Sequence, residues 1–539
     1  MTGSSDENGK TPPESREEGA DPAASGGGRD LFATGGALGG GLFRQLAGDL
    51  GARPSDLPTD PALDPLIGET VGGASAIAVL PFENLSPEAG DPLLEATLPD
   101  ELVGLLSRSR ELAVRPLAET RRLVAESGGG LADVGRIAEQ LGADHVVTGR
   151  IASREGRVEV ALEAIDVAAQ RVVWRDVLSV DPKDLLAQRE RLRDTVRGGL
   201  LPALGVSQPA DDTLPASSEA YRLYVESRAA LGDPEPNRAA IAKLERAVEL
   251  DPTFAPAWAQ LGMLLHIDGY YWSSDREQLA RARRAVERAV QLDPDLIEAS
   301  GTLVELRLED GDLLGAYRAA GELLDRRAQS STAHVLLSIA LRYGGLLEQA
   351  VAECEVARGL DPGDSSQRQC VLTYLWAGLP DRAIDAAGFA TSLLWENDVS
   401  ARIALMNGRR EEAARLWARQ TSPEAGLLRR DHLVACLGGE SGEETREVTG
   451  EELDRRLTEV FEEVRAVADP EWWFASAGLF ATCERPDWAV ALLQRAVDRG
   501  YCVNPSPRVD PLLRPIADRL GDLQRIAAQC REKFAAQIR

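Results

Sequence analysis

The sequence contains no run of about 18 apolar residues, so no helix of it is expected to cross a membrane. Its opening stretch, MTGSSDENGKTPPESREEGAD, lacks the basic start and apolar centre of a secretion signal, and a cytoplasmic location is expected. Positive charge is also short. Lys and Arg number 60 against 87 Asp and Glu, a formal net charge of −27. Phosphate backbones reward clustered Lys and Arg with counterion release, so nucleic acid is not an expected partner. An anionic membrane surface is set aside on the same ground. The carboxylate surplus confers solubility and leaves proteins as the expected partners.

Cysteine and histidine are scarce. Cys354, Cys370, Cys436, Cys483, Cys502 and Cys530 form no C-x-x-C pair, and His145, His266, His334 and His432 do not flank them at zinc spacing. No metal and no cofactor is expected. Cys354 and Cys483 stand in helical patterns where a small apolar residue would serve, and core packing is expected of them. Catalytic signatures are missing too. There is no phosphate-binding Gly-rich loop with its lysine, no kinase catalytic loop and no G-x-S-x-G. GGALGGG at 35–41 precedes no strand–helix unit. These absences exclude the common transferase and hydrolase designs, and a non-enzyme is expected.

What is present divides the chain. Residues 1–73 are rich in Gly, Pro, Ala, Asp and Glu and read as a disordered leader. Within it Leu42-Phe43-Arg44-Gln45-Leu46 offers one amphipathic turn, read as chance apolar residues rather than a docking motif. Order is expected from 74 to 204. AIAVLPF (76–82) reads as a buried strand, and Leu94, Leu98, Leu102, Leu105 and Leu106 have helical spacing. LAVRP (112–116) and DHVVTGRI (144–151) read as further strands. RVEVALEAIDV (157–167) alternates strongly, as a half-buried strand does, and RVVWRDVLSV (171–180) pairs with it. With helices at 120–127, 132–141 and 182–201 the order becomes β-α-β-α-α-β-β-β-α, an α/β sandwich.

These residues carry a family resemblance. IAVLPFENLSPEAGD (77–91) resembles the "VLPF-x-NLS-x-D" opening of the TolB-like N-terminal domain, and IAEQLGADHVVTGRI (137–151) resembles its "IAxELGVDYVLEGSV". VALEAIDVAAQRVVWRDVL (160–178) is similar to "VxAQLIDAxTGxxLWAExY". The resemblance implies an α/β fold without agreed catalytic residues. In relatives that domain commonly precedes tetratricopeptide repeats and follows a nucleotide cyclase, a protein kinase or a winged-helix domain.

After a linker at 205–217, the chain repeats about every 34 residues, the mark of paired helices. The cleanest unit places His334, Ser338 and Leu341 on one helix, Gly345 at the turn, Ala350, Cys354 and Ala357 on the next, and Pro362 at its end. Trp258 and Gly262 fall at the signature positions of a tetratricopeptide repeat (TPR). Repeats are expected over 218–424, a degenerate helical segment with a charged loop over 425–470, and a last TPR-like unit with a capping tail over 471–539. The expected fold is therefore an α/β sandwich followed by an all-α TPR superhelix, an α-solenoid.

Such a superhelix lines a concave groove with its first helices. The register places His266, Arg342, Arg368 and Arg402 there, and three arginines from successive repeats form a candidate clamp for the carboxylates of a partner peptide. Pairing with neighbouring Asp and Glu is the other reading of the same arginines. On the clamp reading, Arg368→Glu with Arg402→Glu abolishes partner binding and leaves stability nearly unchanged. Tyr270, Tyr271 and Trp272 make an aromatic loop that either anchors a partner or packs locally. The expected function is a protein-interaction adaptor, with self-association open. The alternatives are a regulatory module acting in trans on a cyclase or kinase, and an envelope-associated accessory protein.

Overall fold

The computed structural model describes residues 75–86, 92–109, 111–115, 117–126, 134–154, 157–181, 184–207, 215–228, 234–273, 275–361, 365–388, 393–418, 436–437 and 450–539. The leader at 1–73, with its turn at 42–46, and most of the charged loop at 438–452 lie outside the described residues.

The α/β unit begins with β1 (Ser75–Val79), β2 (Glu83–Asn84), α1 (Pro92–Ser107), β3 (Leu112–Val114), α2 (Leu117–Glu126) and α3 (Val134–Leu141). It continues with β4 (His145–Arg154), β5 (Arg157–Asp166), β6 (Arg171–Val180) and α4 (Leu185–Thr195), whose axis runs on through a π turn to Ala203. The sheet order is β3-β1-β4-β5-β6, with β2 also beside β4. β1 is parallel to both neighbours, whereas β4, β5 and β6 run antiparallel. Successive strand side chains point to opposite faces. Ile77 and Val79 accordingly join Leu102, Leu106, Val160, Leu192 and Leu200 on one face. Ala78 and Leu80 join Leu123, Ile137, Leu141 and Val146 on the other. Helices therefore cover both faces of a mixed sheet. On β5 the expected alternation appears as a strict buried–half-buried rhythm.

The rest is helical. Hairpins are formed by α5 (Ser218–Ser227) with α6 (Pro234–Leu250), α7 (Ala255–Ile267) with α8 (Arg276–Leu292), and α9 (Ile297–Glu309) with α10 (Leu313–Arg326). They continue with α11 (Ser331–Tyr343) and α12 (Leu347–Leu360), α13 (Val371–Trp376) and α14 (Pro380–Ala387), and α15 (Leu393–Met406) and α16 (Arg410–Ala418). After α17 (Gly450–Ala466), α18 (Pro470–Thr482) and α19 (Pro486–Asp498) form a last hairpin, and α20 (Gly521–Gln537) ends the chain. Small residues let the paired helices approach: Ala316, Ala320, Ala350, Ala357, Ala383, Ala413, Ala489 and Ala496 are all fully buried.

Two glycine turns show why the stack closes on itself. Gly311 and Gly345 have φ of +80° and +70°, which side-chain-bearing residues rarely adopt. A Cβ there would also lie 2.5 Å from the Arg499 carbonyl and 2.4 Å from the Cys502 carbonyl. The segment after α19 thus lies directly against the turns of two central repeats, and the Cys502 amide donates to the Tyr343 carbonyl at 2.8 Å.

Cys354 and Cys483 are buried in the core, as expected. Beyond that expectation the cysteines are paired: Cys354–Cys370, Cys436–Cys483 and Cys502–Cys530 are disulfides, and none of the six is free. The partners sit 16 to 47 residues apart, on different helices or loops, so sequence spacing does not display the pairing.

The two units are docked. Arg108, just past α1, pairs with Asp293 at 2.8 Å, and Arg228 of the solenoid pairs with Asp100 at 2.6 Å. The Arg115 guanidinium donates to Gly142 O at 2.9 Å, reaches Leu360 O across the interface, and lies 3.5 Å from Asp361. Arg327 returns a bond to Ser107 O. Glu101 accepts from both Arg189 and Tyr221 at 2.8 Å, tying α1 and α4 to α5.

Candidate functional site

Of the groove residues nominated by the repeat register, His266, Arg342 and Arg402 are buried against carboxylates, and those of Arg342 and Arg402 come from the chain's own C-terminal unit. Arg342, on the inner helix α11, is 2% exposed. Its guanidinium grips Glu471 bidentately, with Nε–Oε1 at 2.7 Å and Nη2–Oε2 at 2.8 Å, and donates to Thr373 Oγ1 at 2.8 Å. Arg402, on α15, is 6% exposed and donates to Asp510 Oδ2 at 2.6 Å and Ala475 O at 2.8 Å. Trp376 stacks under it, with the guanidinium 5.0 Å from the ring centre.

This is the carboxylate clamp expected for a partner, already closed on carboxylates of α18 and the segment after α19. The expectation of a preformed open groove at Arg342 and Arg402 is corrected accordingly. A buried guanidinium must find an anion within its own fold or lose several kcal/mol. The expectation that Arg402→Glu leaves stability unchanged falls with it, because it would set two carboxylates together at a fully buried Asp510. Arg368 is half-buried, and its charge acts on Glu305.

His266 is also buried, 7% exposed, with Nε2 2.7 Å from Glu309 Oε1 and Nδ1 3.9 Å from Glu305. Burial alone would depress its pKa. The Glu309 charge and hydrogen bond, with Glu305 behind, overcome that and raise it to about 9. Tyr270 is not a free loop aromatic. It is buried, and its hydroxyl donates to Asp469 Oδ2 at 2.9 Å while the Tyr343 hydroxyl donates to Oδ1 at 2.8 Å. Burial raises the Asp469 carboxyl to about 7, helped by Glu471 and Glu309 and opposed by the two tyrosines. Tyr501 completes the network, donating to Glu471 Oε1 at 2.8 Å. The side chains of Tyr271 and Trp272 lie outside the described residues.

His334 and Trp473 behave as packing residues. The His334 ring sits between Glu353 at 2.6 Å and Ala328 O at 3.2 Å, and Trp473 Nε1 donates to Val464 O at 3.1 Å. Asp469, Glu471, Tyr501 and Asp510 were invisible to the repeat register because they lie beyond the regular repeats and meet the groove only in three dimensions. Pro470 at the first helical position and Asp469 accepting from the Glu471 amide mark the start of α18. That start is the one local signal that could have placed them.

With this geometry in view, the likenesses to other proteins are as follows. The family described as HilA/YgeH-like transcriptional regulator, second domain, matches residues 73–195. No curated protein matches the chain in sequence. Solved structures with similar helical arrays include human IFIT1 with m7Gppp-AAAA, at 15% identity and a TM-score of 0.37, covering 58% of this chain and 77% of that one. PilW, a type IV pilus biogenesis factor, is 16% identical with a TM-score of 0.30, covering 39% of this chain and 98% of its own. YrrB, a TPR protein with an unusual peptide-binding site, is 16% identical with a TM-score of 0.25, covering 36% and 92%. At such values the repeat architecture rests on the helix pairs themselves. No helix among the described residues is long and apolar enough to cross a membrane.

Proposed function

We propose that this chain is a non-catalytic protein-interaction adaptor. The observation that carries the reading is the ordered stack of helical hairpins from α5 to α16, with the α/β unit docked along it through Arg108, Arg115, Arg228 and Arg327. Such a stack presents extended, preordered surface, which lowers the ordering cost of binding. Because Arg342 and Arg402 are engaged by Glu471 and Asp510, the partner surface lies on the outer helices and the α/β unit, not on the filled central groove. The acidic balance favours proteins over nucleic acid as partners.

The paired cysteines bear on where the adaptor works. Disulfides persist in oxidising surroundings and are rare in a reducing cytoplasm. This reading therefore sets the protein in an oxidising compartment, in place of the cytoplasm that its N-terminus suggested.

The test is capture of partners with the full, oxidised chain, followed by reconstitution from purified components. A stoichiometric protein complex that survives gel filtration is the expected result. Failure of every captured protein to rebind once purified would overturn the adaptor reading.

A second reading has its own support, the family match at 73–195. It makes the α/β unit the regulatory part of a signalling or transcription system, acting in trans. The TolB-like resemblance falls on the same residues. It predicts that the reconstituted partner is a regulator, cyclase or kinase and that contacts map to the α/β unit.

A further inference from the structure

Beside the buried network a cavity of about 360 Å³ opens to the surface between α8 and α9 on one side and the 466–468 turn and α19 on the other. Four arginines line it: Arg276 and Arg283 from α8, Arg495 from α19 and Arg499 from its C-cap. The wall has two carboxylates, Glu309 and Asp310. Both are committed. Glu309 turns to His266 at 2.7 Å, and Asp310 pairs with Arg283 and lies 3.8 Å from Arg499. Arg283 also donates to Leu306 O at 3.1 Å, and Arg499 to Glu309 O at 3.1 Å, which fixes both as wall.

Arg276 and Arg495 have no carboxylate partner among the described residues. Four guanidinium groups against two carboxylates leave the lining at +2 in a chain of net charge −27. Arg495 is nevertheless held in place, its guanidinium 4.4 Å from the centre of the Trp473 ring. Burial, then the charges of Arg465, Arg499 and Arg276, depress its pKa. Like charges therefore crowd Arg495, and a bound anion would relieve their repulsion.

We propose that this cavity is a binding site for a small organic dianion, a phosphate monoester or a dicarboxylate, clamped between Arg276 and Arg495. The volume lies at the lower end of the range for small-molecule pockets, about 300–1,000 Å³, so a metabolite-sized ligand fits and a folded partner does not. Guanidinium forks match both anion types through paired N–H donors. The site stands apart from the adaptor reading and does not depend on it. Its neighbour is the Tyr270–Asp469–His266 network, so a ligand here would bear on the contact between α7–α9 and the C-terminal unit.

The experiment is calorimetric titration of the full oxidised chain with phenyl phosphate, inorganic phosphate and succinate at constant ionic strength. Saturable binding of at least one is expected. R276Q/R495Q is expected to weaken it about tenfold or more, the loss of one strong charge-assisted contact. R519Q, paired with Asp487 at the opposite end of α19 from Arg495, should leave it unchanged. Preference for the phosphates over succinate, or the reverse, names the anion class. No saturable binding of any probe up to about 10 mM, well past the weakest specific affinities, overturns the site. So does an affinity that R276Q/R495Q does not change, or one that R519Q weakens equally. Both cavity arginines are exposed, and nearly unchanged melting temperatures confirm that the variants fold.

Discussion

The arginines inside the solenoid and those around the α8–α19 cavity share a side chain and differ in surroundings. Arg342 and Arg402 are almost fully buried and each holds a carboxylate brought by the C-terminal unit. Arg276 and Arg495 reach solvent and hold none among the described residues. Desolvation explains the contrast. An unpaired cation in the interior costs several kcal/mol, so a buried arginine becomes part of the fold. At the rim, water and mobile ions meet most of that cost, and the cation stays available to a ligand.

The comparison breaks most sharply at Glu471. Glu471→Leu leaves Arg342 buried without its anion and should cost about 3–5 kcal/mol in urea denaturation. R342M/E471L should recover most of that loss, because a well-packed apolar pair replaces the ion pair. If the single variant is as stable as the parent, the C-terminal unit does not close the groove in solution.

The next effect is at Cys502–Cys530, the staple on the segment that delivers Asp510 to Arg402. C502A/C530A should lose about 2–4 kcal/mol, read as a lower midpoint that added reductant no longer shifts through this bond.

A smaller effect is in pH. Asp469 titrates near 7 in the fold against an ordinary 3.8, so the unfolded chain releases its proton first as pH rises. Stability from this group therefore falls between 3.8 and about 7. His266, raised from 6.5 to about 9, contributes stability that is whole below 6.5 and lost as pH rises through about 9. Both slopes point downward. Asp469→Asn, which keeps a capping side chain, should flatten the first and lessen the second only slightly, because Asp469 is the smallest of the charges that raise His266, as melting temperature against pH will show.

The smallest effect sharpens the contrast from the other side. R276Q/R495Q should cost at most about 1 kcal/mol, the loss of the Arg495 contact with the Trp473 ring, since neither arginine has a carboxylate partner among the described residues. A larger drop in denaturation midpoint would mean these cations serve the fold after all.

Much of the architecture was legible. Alternation on β5, the helical leucines of α1 and the small residues of the repeats each reflect a local period that burial imposes. Gly345 marked a real turn. The candidate site was legible in half. The register brought His266, Arg342 and Arg402 to one face, but the carboxylates of Glu309, Glu471 and Asp510 that engage them lie 43, 129 and 108 residues away. No period relates residues so far apart. Arg495 and Arg499 stand one helical turn apart, and Arg276 and Arg283 two, which displays a charged stripe on each helix. Nothing in either stripe announces that the two face each other.

The sequence by itself determined the elements, because a helix or strand is chosen by neighbours within a turn or two and by the apolar face they share. It also determined the small-residue seams along which the hairpins stack. Tertiary structure alone decided which cysteines pair, where the α/β unit docks, that the central groove is filled by the chain's own carboxylates, and that two arginines have no carboxylate beside them among the described residues. Those outcomes depend on which distant groups meet away from water, and in the interior every charge must be answered by whatever the fold brings beside it.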